Sequence, residues 1–336
     1  MKMLLFDFRE SEKPFFEKNE FTDFEITFIP EPLNENFKLT EQQLEETDVV
    51  CTFINSDVTE NVLKKFKNLR VVATRSTGYN HIDIKYCTQN NIRVFNVEEY
   101  GQRSVAQFTI MLILALVRKL LPAYLDMKQN VVSHASYEGQ NLEGMTLGMI
   151  GCGSIGGAVA HMAHTFGMNI LVNSYMKRRD ITPFAKYTTL EELYEKSDII
   201  SLHLPYNPET YHMISSEEFK KMKDGVYIIN TARGELLDVV ALYEALLCGK
   251  VAGAALDVLE CEYLAVKQDN VVEDIKMANA KCVTSALITQ KLLSRNDVII
   301  TPHIGYNTQE SVETLLETTF NNVRDFYKGM HTNQIC

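Results

Sequence analysis

Two α/β units in series, each built on a parallel sheet, are what this 336-residue chain predicts. Three observations say so. Short apolar runs alternate with helical patterns from the N-terminus to about residue 98, the alternation restarts after one long apolar helix, and a Gly-x-Gly-x-x-Gly turn opens the second series. In the first series the runs Met3–Phe6, Phe24–Phe28, Val49–Phe53, Arg70–Thr74 and Arg93–Asn96 read as strands. Between them, Thr40 with Gln43 forms a capping box, and Val58, Val62, Leu63 and Phe66 give another helix its apolar stripe. Ser104–Leu121 reads as one buried helix. The second series has strands at 146–150, 169–172, 199–203, 226–230, 251–257 and 298–301. Glu262–Asp297 is too long for a structureless connection and predicts a helix of its own around Leu287–Leu293. The last helical pattern, Thr308–Lys328, brings no strand with it and is expected to cross back to the first unit.

Gly151, Gly153 and Gly156 lie between the strand Thr146–Ile150 and a helix whose apolar positions are Ile155, Val159, Met162, Ala163 and Phe166, closed by Gly167. That is the place for a dinucleotide's pyrophosphate: one glycine turns the chain, one lets backbone N–H groups approach the phosphates, and one lets helix and strand pack closely. Ser154 and Ile155 open the helix, whose N-terminus favours negative charge. The next strand, Asn169–Val172, should end in an acid that holds the adenosine ribose. It ends in Asn173-Ser174-Tyr175 instead, followed by Lys177, Arg178 and Arg179. A hydroxyl beside three cations suits a 2′-phosphate, which leans towards NADP; the cations could also form a solvated turn, with NAD held by other contacts.

With 46% apolar and 23% charged residues the chain is globular, and its net charge of -11 argues against nucleic acid or an anionic membrane as partner. The longest apolar stretch, Ile110–Val117, is far short of the roughly 20 residues that cross a bilayer. The first residues reach a charge at once and read as a strand and not a leader, so a cytoplasmic location is expected. Seven cysteines without a Cys-x-x-Cys pair read as free thiols. His161 and His164 share a helix face, but no further ligand stands at a metal-binding spacing, so no metal is expected.

Open α/β sheets bind ligands beyond the carboxyl ends of their strands. Three residues with useful chemistry stand there: Arg233 after strand 226–230, Glu262 five residues beyond Asp257, and His303 at the end of the last strand. With them in place, the chain resembles the D-isomer-specific 2-hydroxyacid dehydrogenase family, most closely its D-lactate dehydrogenase branch. The motifs that carry the resemblance come in order: Arg75-Ser-Thr-Gly-Tyr-Asn-His-Ile-Asp83, Ser104-Val-Ala-Gln-Phe, the glycine turn, Ser201-Leu-His-Leu-Pro205, Asn230-Thr-Ala-Arg-Gly234, Asp257-Val-Leu-Glu-Cys-Glu262 and Thr301-Pro-His-Ile-Gly305. The resemblance implies a flavodoxin-like substrate domain at 1–98, a Rossmann dinucleotide-binding domain at 99–303 and a C-terminal helix, 304–336, returning to the first. It implies Arg233, Glu262 and His303 as the catalytic trio, Thr77, Gly78, Tyr100 and Tyr306 as substrate contacts, Asp257 at the nicotinamide amide, and His203, Pro205 and Thr231 along the cofactor. It also implies a homodimer built partly on the long apolar helix.

The chemistry agrees with that assignment. A planar guanidinium offers paired donors to a 2-oxo acid, so Arg233 would orient the substrate. As the C2 carbonyl is reduced, a protonated His303 would donate a proton to its oxygen, while Glu262, bonded to the far ring nitrogen, would stabilise the imidazolium. The expected reaction is reversible reduction of a small 2-oxo acid to the D-2-hydroxy acid, pyruvate and D-lactate first. 2-Oxoisocaproate, hydroxypyruvate and glyoxylate stay open as substrates. A dinucleotide-sensing binding protein and a phosphoglycerate-type enzyme are the rivals. The 41 residues from Glu262 to His303 suggest an insertion beside the active site.

Overall fold

Val49-Val-Cys-Thr52 and Val71-Val-Ala-Thr74 are buried at every position, as befits strands covered on both faces. They are the inner strands of the first sheet. Its strands β1 (Lys2–Leu5), β2 (Glu25–Phe28), β3 (Val49–Thr52), β4 (Val71–Thr74) and β5 (Arg93–Phe95) are all parallel, in the order β2-β1-β3-β4-β5. That is the doubly wound flavodoxin-like order. On one face Leu4, Val50 and Val72 pack with Val58, Val62, Leu63 and Phe66 from the expected apolar stripe. On the other, Met3, Leu5, Val49 and Val71 meet Phe320 and Val323 of the Gln309–Tyr327 helix, which Thr308 caps. The rings of Phe16, Phe21 and Phe24 close around Phe320.

The computed structural model describes residues 1–132, 134–262, 264 and 280–336. These divide into two compact units, residues 1–100 with 307–336, and residues 101–306.

The second unit holds a seven-stranded parallel sheet: β6 (Thr146–Ile150), β7 (Asn169–Asn173), β8 (Ala185–Tyr187), β9 (Ile199–Leu202), β10 (Val226–Asn230), β11 (Val251–Leu256) and β12 (Val298–Ile300). Its order, β12-β11-β10-β9-β6-β7-β8, reverses direction at β6, so the crevice beyond the end of β6 is a topological switch point. Strand β8 was not legible in the sequence because it is three residues long, pairs along one edge and exposes its lysine. The single helix expected at Ser104–Leu121 is two, Gln102–Val117 and Leu120–Lys128, bent by 66°. Lys119 turns the chain between them in the left-handed region, with φ of 52°. No single helix among the described residues is long and apolar enough to cross a bilayer.

A helix does occupy part of the 262–297 stretch, from Ala280 to Leu293, and it contains the expected Leu287–Leu293. It also overturns the reading of seven free thiols. Cys261 and Cys282 form a disulfide, with Cα atoms 5.6 Å apart, because this helix returns to the loop after β11. Cys51, Cys87, Cys152, Cys248 and Cys336 are free.

Candidate active site

The three glycines of the turn divide their labour. Gly151 has φ of +90°, and a methyl group there would lie 2.5 Å from the carbonyl oxygen of His203. Gly156 packs against the backbone of Gly151, where a methyl group would sit 2.9 Å from its carbonyl oxygen. Gly153 is different. A methyl group at Gly153 would meet nothing within 4 Å, so the protein itself gives no reason for a glycine. Gly153 is also the N-cap of the Ser154–Thr165 helix and offers no side-chain cap, which leaves the first N–H groups for a ligand. This cradle fits a dinucleotide's pyrophosphate. Ser154 is exposed and Ile155 half-buried on the same turn.

Beyond the end of β7, Ser174 is half-buried and Lys177 and Arg179 are exposed. The ammonium of Lys177 lies 5.8 Å from the centre of the Tyr187 ring. Arg178 is held by a carboxylate that sequence reasoning overlooked: its Nε and Nη2 donate to Asp180 at 3.1 and 2.8 Å, and its Nη1 to the Gly153 carbonyl at 3.2 Å. The guanidinium lies directly over Gly157, at 2.6 Å from where a Cβ would stand. The bond from Arg178 and then the one from His161 hold the Asp180 carboxyl well below the usual carboxylate range. His164 stacks on Phe184 with ring centres 4.3 Å apart. Both helix histidines therefore have ordinary partners.

The strand ends β9, β10, β11 and β12 bring the remaining residues into one unit. After β9, the His203 ring meets the Ser201 hydroxyl at 2.9 Å, and burial pushes its pKa down to about 4. Pro205 is exposed, its carbonyl accepting from Thr210. After β10, buried Asn230 shapes the turn that presents Arg233: its amide donates to the Arg233 carbonyl at 2.8 Å and accepts from the Ala232 N–H at 3.0 Å. Thr231 is buried against Thr109, hydroxyl to hydroxyl at 2.9 Å. Arg233 donates through Nη1 to the Ala232 carbonyl, and among the described residues its Nη2 has no protein partner.

Asp257, at the end of β11, is buried and accepts from the Thr301 hydroxyl at 2.6 Å and from the N–H groups of Ile304 and Gly305 at 3.0 and 2.8 Å. One carboxylate thus moulds the turn on which His303 stands. His303 itself has φ of 54°, in the left-handed region that few non-glycine residues adopt. Its Nδ1 lies 3.3 Å from Glu262 Oε2, while Glu262 Oε1 accepts from the Leu259 N–H at 3.0 Å. Partial burial alone would raise the Glu262 pKa; the bond and charge of His303, the Leu259 N–H and the charge of Arg233 outweigh it, and the carboxyl titrates below its usual range. The trio of the sequence reading is therefore coupled in one place. Tyr306 is buried beside it, its ring centre 6.5 Å from that of His303.

A cradle that fits a dinucleotide's pyrophosphate, an imidazole–carboxylate pair and a guanidinium stand at the strand ends of one sheet. The family model described as the D-isomer specific 2-hydroxyacid dehydrogenase NAD binding domain matches residues 110–305. The chain belongs to the D-isomer specific 2-hydroxyacid dehydrogenases. It is an oxidoreductase. It is 33% identical to a 2-hydroxyacid dehydrogenase homolog of Haemophilus influenzae, covering 98% of this chain and 97% of that one. It is 37% identical to an aromatic 2-oxoacid reductase of Clostridium sporogenes, covering 86% of each. Among solved structures, D-lactate dehydrogenase of Aquifex aeolicus, complexed with NAD and lactic acid, superposes with a TM-score of 0.81 at 36% identity, over 97% of this chain and 96% of that one.

In the other unit of this dehydrogenase, the 75–78 turn follows β4. Asn96 donates to the Thr77 carbonyl at 2.9 Å, the Thr77 hydroxyl to the Val97 carbonyl at 2.9 Å, and the Ser76 hydroxyl to the Gly78 carbonyl at 2.6 Å. Arg75 is fully buried and bonds both oxygens of Glu12 at 2.6 and 2.7 Å. That pair braces the base of the turn. Tyr100 is half-buried at the end of this unit.

Proposed function

We propose that this dehydrogenase reversibly reduces a small 2-oxo acid to its D-2-hydroxy acid, with pyruvate and D-lactate as the first candidate pair. The observation that carries the reading is the His303–Glu262 pair with Arg233 acting on it. A nicotinamide cofactor supplies the hydride when bound at the Gly153 cradle. Arg233 orients the substrate carboxylate through a guanidinium edge, His303 gives its Nε2 proton to the carbonyl oxygen, and Glu262 compensates the charge of the imidazolium. In the oxidative direction His303 takes the proton back.

A bulkier 2-oxo acid is the second reading, favoured by the likeness to an aromatic 2-oxoacid reductase. We further propose that NADP is accepted as well as NAD, because Ser174 places no carboxylate where a 2′-phosphate would lie and Arg178 is close by. Asp180 tempers that preference by holding the guanidinium. Purified protein is to be assayed against pyruvate, 2-oxoisocaproate, phenylpyruvate, hydroxypyruvate and glyoxylate with NADH and with NADPH. Negligible turnover in every combination, with a dinucleotide bound, would show a sensor in place of an enzyme.

We also infer a homodimer. Met111, Leu120, Tyr124, Leu125, Met127 and Val132, on the two helices and just beyond the second, are all exposed, and large apolar side chains left to water in such number mark an interaction face. Sedimentation velocity should give twice the chain mass, and Leu125→Glu should lower it.

A further inference from the structure

Between Asp257 and Glu262 stands a second glutamate, Glu260, which touches neither His303 nor Arg233 yet is buried at 7% exposure. Its Oε1 accepts from the Tyr211 hydroxyl at 2.8 Å, and its Oε2 from His212 Nε2 and the Ser285 hydroxyl, both at 3.0 Å. A buried carboxylate so supplied with donors is a fixed point, and breaking it leaves several polar groups unpaired at once. The donors come from two separate segments, the loop after β9 and the Ala280–Leu293 helix. Around them stand Lys281, whose ammonium is 4.1 Å from the centre of the Tyr211 ring, and Asp238, 3.7 Å from His212 Nδ1. Burial opposes ionisation of Glu260, but the bonds from Tyr211, His212 and Ser285 overcome it and hold the pKa below the usual value.

Two further contacts fix the same short stretch. Gly234, next to Arg233, lies flush against the Leu259–Glu260 peptide; a methyl group there would sit 2.0 Å from the Leu259 carbonyl carbon. Cys261 is bonded to Cys282 of the helix that carries Ser285. Residues 259, 260 and 261 are thus held in succession, and Glu262 is the next residue.

We propose that Glu260 is a positioning residue, anchoring the Leu259–Glu262 turn to Tyr211, His212 and Ser285 so that the Glu262 carboxylate meets the far nitrogen of His303. The inference rests on the reading of His303 and Glu262 as the acid–base pair. Loss of the anchor lets Glu262 withdraw, and the imidazolium loses its counter-charge. A merely structural role would lower the active fraction equally at every pH. A positioning role moves the titration of His303.

The test follows the His303 ring by NMR through a pH titration, with the resonance assigned from His303→Asn, in wild type, Glu262→Gln, Glu260→Ala, Glu260→Gln and Ser285→Ala. Glu262→Gln should move the His303 midpoint to lower pH by about 1 unit. Glu260→Ala should move it in the same direction and lower kcat about tenfold with KM for the dinucleotide unchanged. Ser285→Ala should move it less. Glu260→Gln should recover most of the wild-type value, since its amide oxygen still accepts from His212 and Ser285 and the Tyr211 hydroxyl can accept from its amide nitrogen. If Glu262→Gln shifts the midpoint and folded Glu260→Ala leaves it in place, the positioning role is overturned and the acid–base reading stands. If Glu262→Gln itself leaves it in place, the acid–base reading fails first. Should Glu260→Ala not fold, Ser285→Ala decides alone, and an unmoved midpoint there overturns the proposal.

Discussion

The turn that carries His303 and the corner that follows β7 are both strand ends of one sheet, and they are built on opposite principles. The first is over-determined: a buried carboxylate takes three donors from it, a left-handed histidine is held in place, and a methyl group at Gly305 would lie 2.8 Å from Asp257. The second is open, with Ser174, Lys177 and Arg179 free of such constraints and one arginine tethered to one aspartate. The difference separates chemistry from preference. Proton transfer tolerates little misplacement, so its geometry is locked, while an exposed corner can change sign of charge without disturbing the sheet.

The harshest way to break the comparison is at the locked turn. His303→Asn should lower kcat by about 10³-fold while dinucleotide binding, read by fluorescence titration, stays within about twofold. Asp257→Asn should lower kcat by about 10²-fold and depress the melting temperature too, since an amide nitrogen would face N–H donors.

The glycine turn sharpens it, because it contains both principles within three residues. Gly151→Ala should cost roughly 2 to 4 kcal/mol of stability by denaturant unfolding, through its positive φ and the His203 carbonyl. Gly153→Ala should leave stability within about 0.5 kcal/mol and weaken the dinucleotide about tenfold or more. Equal losses of stability at both positions would contradict the division.

Acid extends the contrast. Burial pushes His203, and likewise His81, down to about 4 from the usual 6.5 of an imidazole. A depressed imidazole leaves the unfolded chain binding more protons, so the stability is present above pH 6.5 and is lost as pH falls towards 4, with roughly 2 kcal/mol for each ring gone by pH 5. The Arg178–Asp180 pair survives that window, because the carboxyl titrates lower still. Urea midpoints at pH 7.5, 6 and 5 should fall accordingly, and His81→Asn should flatten the slope.

The smallest effect belongs to the open corner. Asp180→Asn frees Arg178 and should raise the NADPH-to-NADH ratio of kcat/KM about three- to tenfold; Arg178→Ala should reverse it. An unchanged ratio in both would remove Arg178 from cofactor choice.

What the sequence showed follows the same line. Strands buried on both faces, such as Val49–Thr52, announce themselves as apolar runs, and Arg233, Glu262 and His303 could be placed because strand ends are where such folds bind ligands. Residues that act by holding others were silent. Asn230, Asp180 and Glu260 are ordinary polar residues in a string, and their roles depend on partners 2 to 49 positions away. Asn230 and Asp180 did have partners two residues away, an Asx turn to Ala232 and a pairing with Arg178, but neither spacing is distinctive in a sequence. The helix break at Lys119 and the Cys261–Cys282 bond were illegible for the same reason: each is decided by packing and not by pattern.

The discontinuous first unit sets a rule for biosynthesis. A ribosome delivers Phe16, Phe21 and Phe24 early and Phe320, around which they close, almost last. Residues 101–306 can complete their sheet while still tethered, whereas the opening hundred residues must wait, with an apolar sheet face uncovered, until translation has nearly ended. Truncation before residue 309 should therefore yield a nascent chain that chaperones retain, even though every strand of both sheets has been made.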